Sequence, residues 1–337
     1  MKSLFCAAIA AVFLSSAAAT AAAEEIEMGY MPILPVAQAF LALENGWLKD
    51  AGIEPKLVEF QNGPAMVQAL IAGQLDVAHL GIGPAMVARA KGVPIKVVAA
   101  SNAEQISVVA LPDLKAAFDA GDAKTAFARF AESHGRKPVI ATFPIGSVPQ
   151  TVLQYWVEKM LGLPADAIDV IYQGAAQVQQ SLLTGAVDGA AILEPIVALT
   201  MAKIDGAGVV AKGSALFPGQ PGAVLVVREA LIERSPDLVQ ALVAAHAKAT
   251  AALRDHPATT VEAVSKYVGG GRIPAPIVLQ ALKNAVATFV ADPDGIVAGT
   301  RAMHDFQLAA GTLKTPVDLA ALFEPRFFRA LGAAKSN

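Results

Sequence analysis

The chain has 337 residues, 55% hydrophobic and 16% charged, with a formal net charge of −3 from 26 Lys and Arg against 29 Asp and Glu. That length builds one large or two medium domains with a sizeable core. The absence of any basic run excludes nucleic acid as a partner, because phosphate binding needs a concentrated basic face.

At the start, Lys2 supplies a positive charge, residues 4–19 form an uncharged apolar run, and Ala21, Ala22 and Ala23 precede Glu24 as a small-residue cleavage site. A membrane anchor is the rival reading, but the run is short for a span and ends in small residues. The expectation is a signal peptide over 1–23, cleaved on export. Cys6 is the only cysteine and lies within it, so the mature chain would have no disulfide, thiolate metal site or cysteine nucleophile. No later stretch is long and apolar enough to span a bilayer.

The mature region opens with a strand pattern over 26–30, then a predicted helix over 36–44 closed by Asn45-Gly46. Strands are predicted over 53–60, 75–80, 95–99, 139–142, 167–172 and 189–193, with helices between them, as over 65–72. Short strands alternating with helices imply crossover units and a mainly parallel sheet covered on both faces. After Arg228 the pattern changes to long helices over 229–254, 259–267, 275–290 and 296–310, with helical apolar spacing at Leu238, Leu242, Ala245 and Ala249. This region is expected to pack around the first lobe.

One segment occurs twice. Residues 67–78 and 179–190 share an apolar helix, a glycine stop (Gly73, Gly185), an aspartate (Asp76, Asp188) and a buried strand. Two copies do not make a solenoid, which needs three or more; two lobes on one α/β plan account for the pair.

Enzyme motifs are absent: no G-x-S-x-G, no GxxxxGK[ST] and no H-E-x-x-H occurs. The five histidines, His79, His134, His246, His256 and His304, have no ligand spacing. His79 lies on a predicted strand that ends at a loop, so either a core histidine or a site residue fits. No catalytic residue, metal or cofactor is expected. The positive signal is four loops after predicted strands, at 31–33, 61–64, 81–84 and 143–147, each mixing Gly or Pro with few polar groups. In open α/β sheets small ligands settle at such loops, where helix N-termini point outward. Pro64, Pro84 and Pro149 suit first helical turns. Ser147 could cap the helix predicted over 148–161 and offer its hydroxyl to an anion. Glu194 follows an apolar strand and precedes Pro195, so it could pair with a ligand amine or an arginine, or act as a first-turn glutamate favoured by the helix dipole. Ordinary turn chemistry is the alternative for every loop.

Taken together, the order of these segments resembles the nitrate/sulfonate/taurine class of solute-binding proteins of ABC transporters. The resemblance rests on the opening Gly29-Tyr30 strand, the E-N-G-W-L-K-D-A-G-I-E run ending at Glu54, Gly63-Pro64 with the 69–78 segment, Gly83-Pro84, the 90–96 segment, Gly146-Ser147 and the 183–188 segment. It covers nearly all of the mature chain. It implies an α/β periplasmic-binding-protein type II fold: two Rossmann-like lobes, joined by two hinge strands, with a ligand cleft between them. Lobe 1 would comprise 24–108 and 225–337, lobe 2 109–224, with hinges near 108–111 and 224–227. The pocket carried over by resemblance draws on Pro32, Asn62, Gly63, Gly83, Pro84, Gly146, Ser147, Gln173, Gly174 and Glu194. The partners would be a small ligand and a permease with its ATPase, the chain acting as a periplasmic monomer. Val148 after Gly146-Ser147, Leu193-Glu194 before Pro195, and the apolar Met31, Ile33 and Leu34 depart from the family pattern. They suit an organic ligand, such as a sulfonate, an aromatic acid or an amine, better than nitrate. An enzyme on the same fold, related to thiamine-pyrimidine synthesis or chorismate dehydration, and a sensor for a membrane kinase are the alternatives.

Overall fold

The computed structural model describes residues 24–333. The expected signal peptide, with Cys6, therefore lies outside the described residues. Among the described residues, ten strands form two sheets. The first lobe holds β1 (Glu24–Tyr30), β2 (Ile53–Glu59), β3 (Val77–Gly81), β4 (Ile95–Ala100) and β10 (Ala223–Arg228); the second holds β5 (Ser107–Ala110), β6 (Val139–Thr142), β7 (Asp169–Tyr172), β8 (Gly189–Ile192) and β9 (Gly208–Lys212). The strand orders, β2-β1-β3-β10-β4 and β7-β6-β8-β5-β9, are one plan used twice.

The sheets are mixed rather than mainly parallel. In each, four strands run one way, and the strand inserted next to last, β10 or β5, runs antiparallel to both neighbours. The cause is topological. The chain leaves β4 at the C-terminal end of the first sheet and enters the second lobe through β5; it returns from β9 into β10. A strand that enters at the end where its neighbours finish must run against them.

The two crossings, residues 101–106 and 213–222, lie side by side. The Glu104 N–H donates to Gln220 O at 2.9 Å, the Gly222 N–H to Asn102 O at 2.9 Å and the Gly213 N–H to Ile106 O at 3.0 Å. Glu104 adopts φ +52°, a left-handed conformation uncommon for a residue with a side chain, and its Oε1 accepts from the Gly219 N–H at 2.8 Å. The stretches 108–111 and 224–227, expected as hinges, fall within or beside β5 and β10, which are hydrogen-bonded to strands on both sides. The expected lobe limits at 108/109 and 224/225 cut the same two strands.

The duplicated segment lands at equivalent places, on the helix Gly63–Ile71 and β3 in the first lobe and on the helix Ala175–Thr184 and β8 in the second. Gly73 and Gly185 end those helices at φ +76° and +69°, which glycine adopts without strain. Asp76 Oδ2 accepts from the Glu27 N–H at 3.1 Å, and Asp188 Oδ2 from the Val139 N–H at 2.7 Å. Each aspartate N–H returns a bond to the same residue's carbonyl, at 3.0 Å to Glu27 and 2.8 Å to Val139. The repeated aspartate thus pins β3 to β1 and β8 to β6, at the sheet end remote from the crossings. Asp188 also accepts from both terminal nitrogens of Arg136, at 2.6 and 2.8 Å. Partial burial pushes its pKa up, but the Arg136 and Val139 bonds outweigh this and hold the carboxyl below its ordinary value. Asp188→Ala should lower the unfolding free energy by about 2 kcal/mol, since it strands the partly buried Val139 amide and removes the Arg136 pair. Asp76→Ala, with longer bonds, should lower it less. Urea denaturation of the two variants measures the difference.

Behind β10 the chain is helical, as expected. Pro236–Asp255 packs on Ala37–Glu44 in the first lobe. Two later helices reach further than expected: Ala275–Ala285 packs on Ile196–Lys203 of the second lobe, and Val297–Ala309 touches both Ile82–Ala90 and Val148–Tyr155. They therefore span the seam. Among the described residues no helix is long and apolar enough to cross a membrane.

Candidate functional site at the seam between the lobes

Four helices begin where the parallel strands end: Gly63–Ile71 and Ile82–Ala90 from the first lobe, Val148–Tyr155 and Ala175–Thr184 from the second. Their starts follow from local chemistry. Asn62 has extended backbone, and its Oδ1 accepts from the Ala65 N–H at 2.9 Å, with Pro64 in the first turn. The Gly174 N–H donates to Gln177 Oε1 at 2.9 Å.

Glycines let the four starts converge. A Cβ on Gly63 would lie 2.4 Å from Pro84 Cγ, one on Gly81 2.9 Å from Val148 Cγ2, and one on Gly83 2.8 Å from the Gly146 carbonyl oxygen. A Cβ on Gly174 would sit 3.2 Å from Gln61 Cβ, and the Ala175 N–H donates to Gln61 O at 3.3 Å. The structure thus brings together Asn62, Gly63, Gly83, Pro84, Gly146, Ser147 and Gly174 along one seam. Each helix N-terminus carries partial positive charge, and of the ten expected site residues only Glu194 is ionisable.

Ser147 does not cap its helix. Its backbone has the extended conformation of a cap, but the hydroxyl makes no bond to the helix. Pro149 at the second helical position removes one of the two amides that such a hydroxyl addresses. The side chain is buried at 2% exposure, and its Oγ has no partner among the described residues. Gly146, at φ +87°, donates its N–H to Gln150 Oε1 at 3.0 Å.

Glu194 is a helix-start glutamate. Its Oε2 accepts from the Ala198 N–H at 2.9 Å, its Oε1 from Asn284 Nδ2 at 2.7 Å, and its carbonyl from the Leu34 N–H of the other lobe at 3.2 Å. Burial pushes its carboxyl above the ordinary value, against the two bonds to its oxygens. No arginine pairs with it among the described residues. Pro32 is buried, with its carbonyl accepting from the Gly269 N–H at 2.9 Å. Gln173 bonds within its own lobe, its Oε1 accepting from Ser181 Oγ at 2.9 Å. His79 is a core residue: it stacks on His246 with centroids 5.8 Å apart and is 3% exposed.

The seam also uses residues that the sequence did not mark. Gln307 Nε2 donates to Thr151 Oγ1 at 2.9 Å across it, and Gln61 and Asn284 join as above. Gln307 and Asn284 come from the C-terminal helices, and no local pattern distinguishes them from other surface-type polar residues of a helix. Among the described residues no group of three or more His, Cys, Asp or Glu could hold a metal.

With this geometry established, comparisons with known proteins bear on the whole chain. A Bacillus subtilis protein named for binding aliphatic sulfonates is 26% identical over 310 residues, covering 91% of this chain and 87% of its own. The alkanesulfonate-binding protein SsuA of Xanthomonas axonopodis pv. citri, solved bound to MOPS, superposes with a TM-score of 0.72 at 21% identity, over 89% of this chain and 98% of that one. The nitrate-binding protein NrtA of Synechocystis PCC 6803 gives 0.76 at 15% identity, over 92% and 88%. The two-lobed architecture is therefore the periplasmic-binding-protein fold. Residues 19–268 match the family model, and the chain belongs to the NMT1-like family.

Proposed function

We propose that this protein is the exported solute-binding component of an ABC importer. It takes a small organic anion, a sulfonate, taurine-like compound or related organic acid, at the seam between its lobes and delivers it to a permease with its ATPase. It does so as a periplasmic monomer without cofactor or catalysis. The observation that carries this reading is the convergence of four helix N-termini with no basic side chain among the site residues. Backbone amides and helix dipoles supply partial positive charge for an anion, and the apolar Met31, Ile33 and Leu34 beside them suit an organic body. Opening and closure would turn about the crossings at 101–106 and 213–222, with the joined lobes holding Gly83 against Gly146 as they stand here. The names of the sulfonate-binding relatives agree with this ligand class.

The test is a thermal-shift screen of the mature chain with sulfonates, organic acids, amines and inorganic anions, followed by calorimetry. A ligand at a hundred times its Kd stabilises the folded state by about 2.7 kcal/mol. Ser147→Ala is expected to weaken binding of the selected anion about tenfold, the effect of losing one hydrogen bond to a charged group. Unchanged affinity in both Ser147→Ala and Gly146→Ala would place the ligand elsewhere.

A further inference from the structure

The geometry points to a second binding site, for a small organic amine, in a cavity between the helix Val148–Tyr155 with its continuation Trp156–Met160 and the edge strand β7. The cavity has a volume of about 240 Å3, below the roughly 300–1,000 Å3 of sites for drug-sized ligands. Leu153, Val157 and Ile168 form buried walls, and Ile145 and Tyr172 stand exposed at its rim. None of the residues lining it is Lys, Arg or His, so it offers an anion no countercharge.

Its polar side is a directed ladder. The Gly146 N–H donates to Gln150 Oε1 at 3.0 Å, Gln150 Nε2 to Gln154 Oε1 at 2.9 Å, and Gln154 Nε2 to Glu158 Oε1 at 2.9 Å. A peptide N–H can only donate and a carboxylate only accept, so both ends of the ladder dictate how the two amides face. The ladder ends on Glu158, whose Oε2 has no partner and which makes no ion pair among the described residues. A carboxylate at the end of an apolar cavity calls for a cation with an apolar body, which an organic ammonium supplies. The backbone supports this placement. Glu158 and Val157 sit on a π-helical turn, in which the Leu161 N–H reaches back to Trp156 O at 2.9 Å. Such turns are rare and concentrate at functional sites.

Benzylamine serves as the probe, with benzyl alcohol as its uncharged control, each titrated calorimetrically into the mature protein. Benzylamine is expected to bind, with the alcohol at least tenfold weaker. Glu158→Gln should lower benzylamine affinity tenfold or more, and Val170→Trp, which fills the cavity, should abolish binding while circular dichroism stays native. Binding of benzyl alcohol as tight as benzylamine, absence of benzylamine binding at millimolar concentration, or undiminished affinity in both variants would overturn the site. None of these outcomes depends on which anion the seam takes.

Discussion

Lowering the pH from 7 to 5 is expected to reduce the unfolding free energy by about 4 kcal/mol through two buried histidines alone. His79 on β3 and His246 on the helix Pro236–Asp255 lie 3% exposed, with rings stacked. His246 Nε2 is 2.7 Å from the Ala100 carbonyl, and Nδ1 of each ring has no partner among the described residues. Burial, and the nearby His246 ring, push the His79 pKa down to about 3. Burial pushes His246 down to about 4, against its bond to Ala100. Both values are depressed relative to the unfolded chain, so below about pH 6.5 the unfolded state binds more protons than the folded one. The contribution is therefore intact above about pH 6.5 and declines as pH falls toward 4. The measurement is urea denaturation at pH 7 and 5. In His79→Leu, whose new side chain would face Met28, Leu225 and Leu242, the loss attributable to the pair should fall by about half. An equal loss in wild type and variant would show that these histidines do not titrate as their burial requires.

Replacing Gly83 by alanine is expected to weaken binding of the selected anion by about ten- to a hundredfold while leaving each lobe folded. Gly83 is the second residue of the helix Ile82–Ala90, where alanine is the better helix former by up to about 1 kcal/mol. Local stability should hold or rise. The added methyl would, however, meet the Gly146 carbonyl at 2.8 Å and Gln307 Nε2 at 3.1 Å. Backbone on one side cannot rotate away, so the lobes must part. Overpacking of this kind costs about 1–3 kcal/mol, and a ligand that binds the joined lobes loses affinity by the same amount. Small-angle scattering should show a larger radius of gyration than wild type, and calorimetry the weaker Kd. Wild-type scattering together with wild-type affinity would mean that Gly83 and Gly146 do not meet when the ligand is held.

Much of the architecture was legible because it is written in local periods. Short apolar runs separated by Gly and Pro marked β1 to β4 and β6 to β8 but not β9, and the duplicated segment revealed the shared plan. The antiparallel strands β5 and β10 were harder to read. The resemblance implied hinges at 108–111 and 224–227, and the place of these residues within or beside β5 and β10 follows from which sheet edge the chain enters. Asp76 and Asp188 show the same limit. The repeat was visible, yet only the strand pairing reveals that each aspartate fastens the foot of its sheet rather than serving the seam.

For the site, sequence alone determined the loops after the strands, the prolines and glycines that start the helices, and the family resemblance, since all of these are properties of short segments. Only the tertiary structure decided that Ser147 leaves its hydroxyl unpaired, that Glu194 is occupied by Ala198 and Asn284, and that Gln307 and Asn284 reach the seam from helices ninety or more residues away. The physical reason is that a hydrogen bond between distant segments has no period along the chain. It exists once two independently formed lobes are brought face to face.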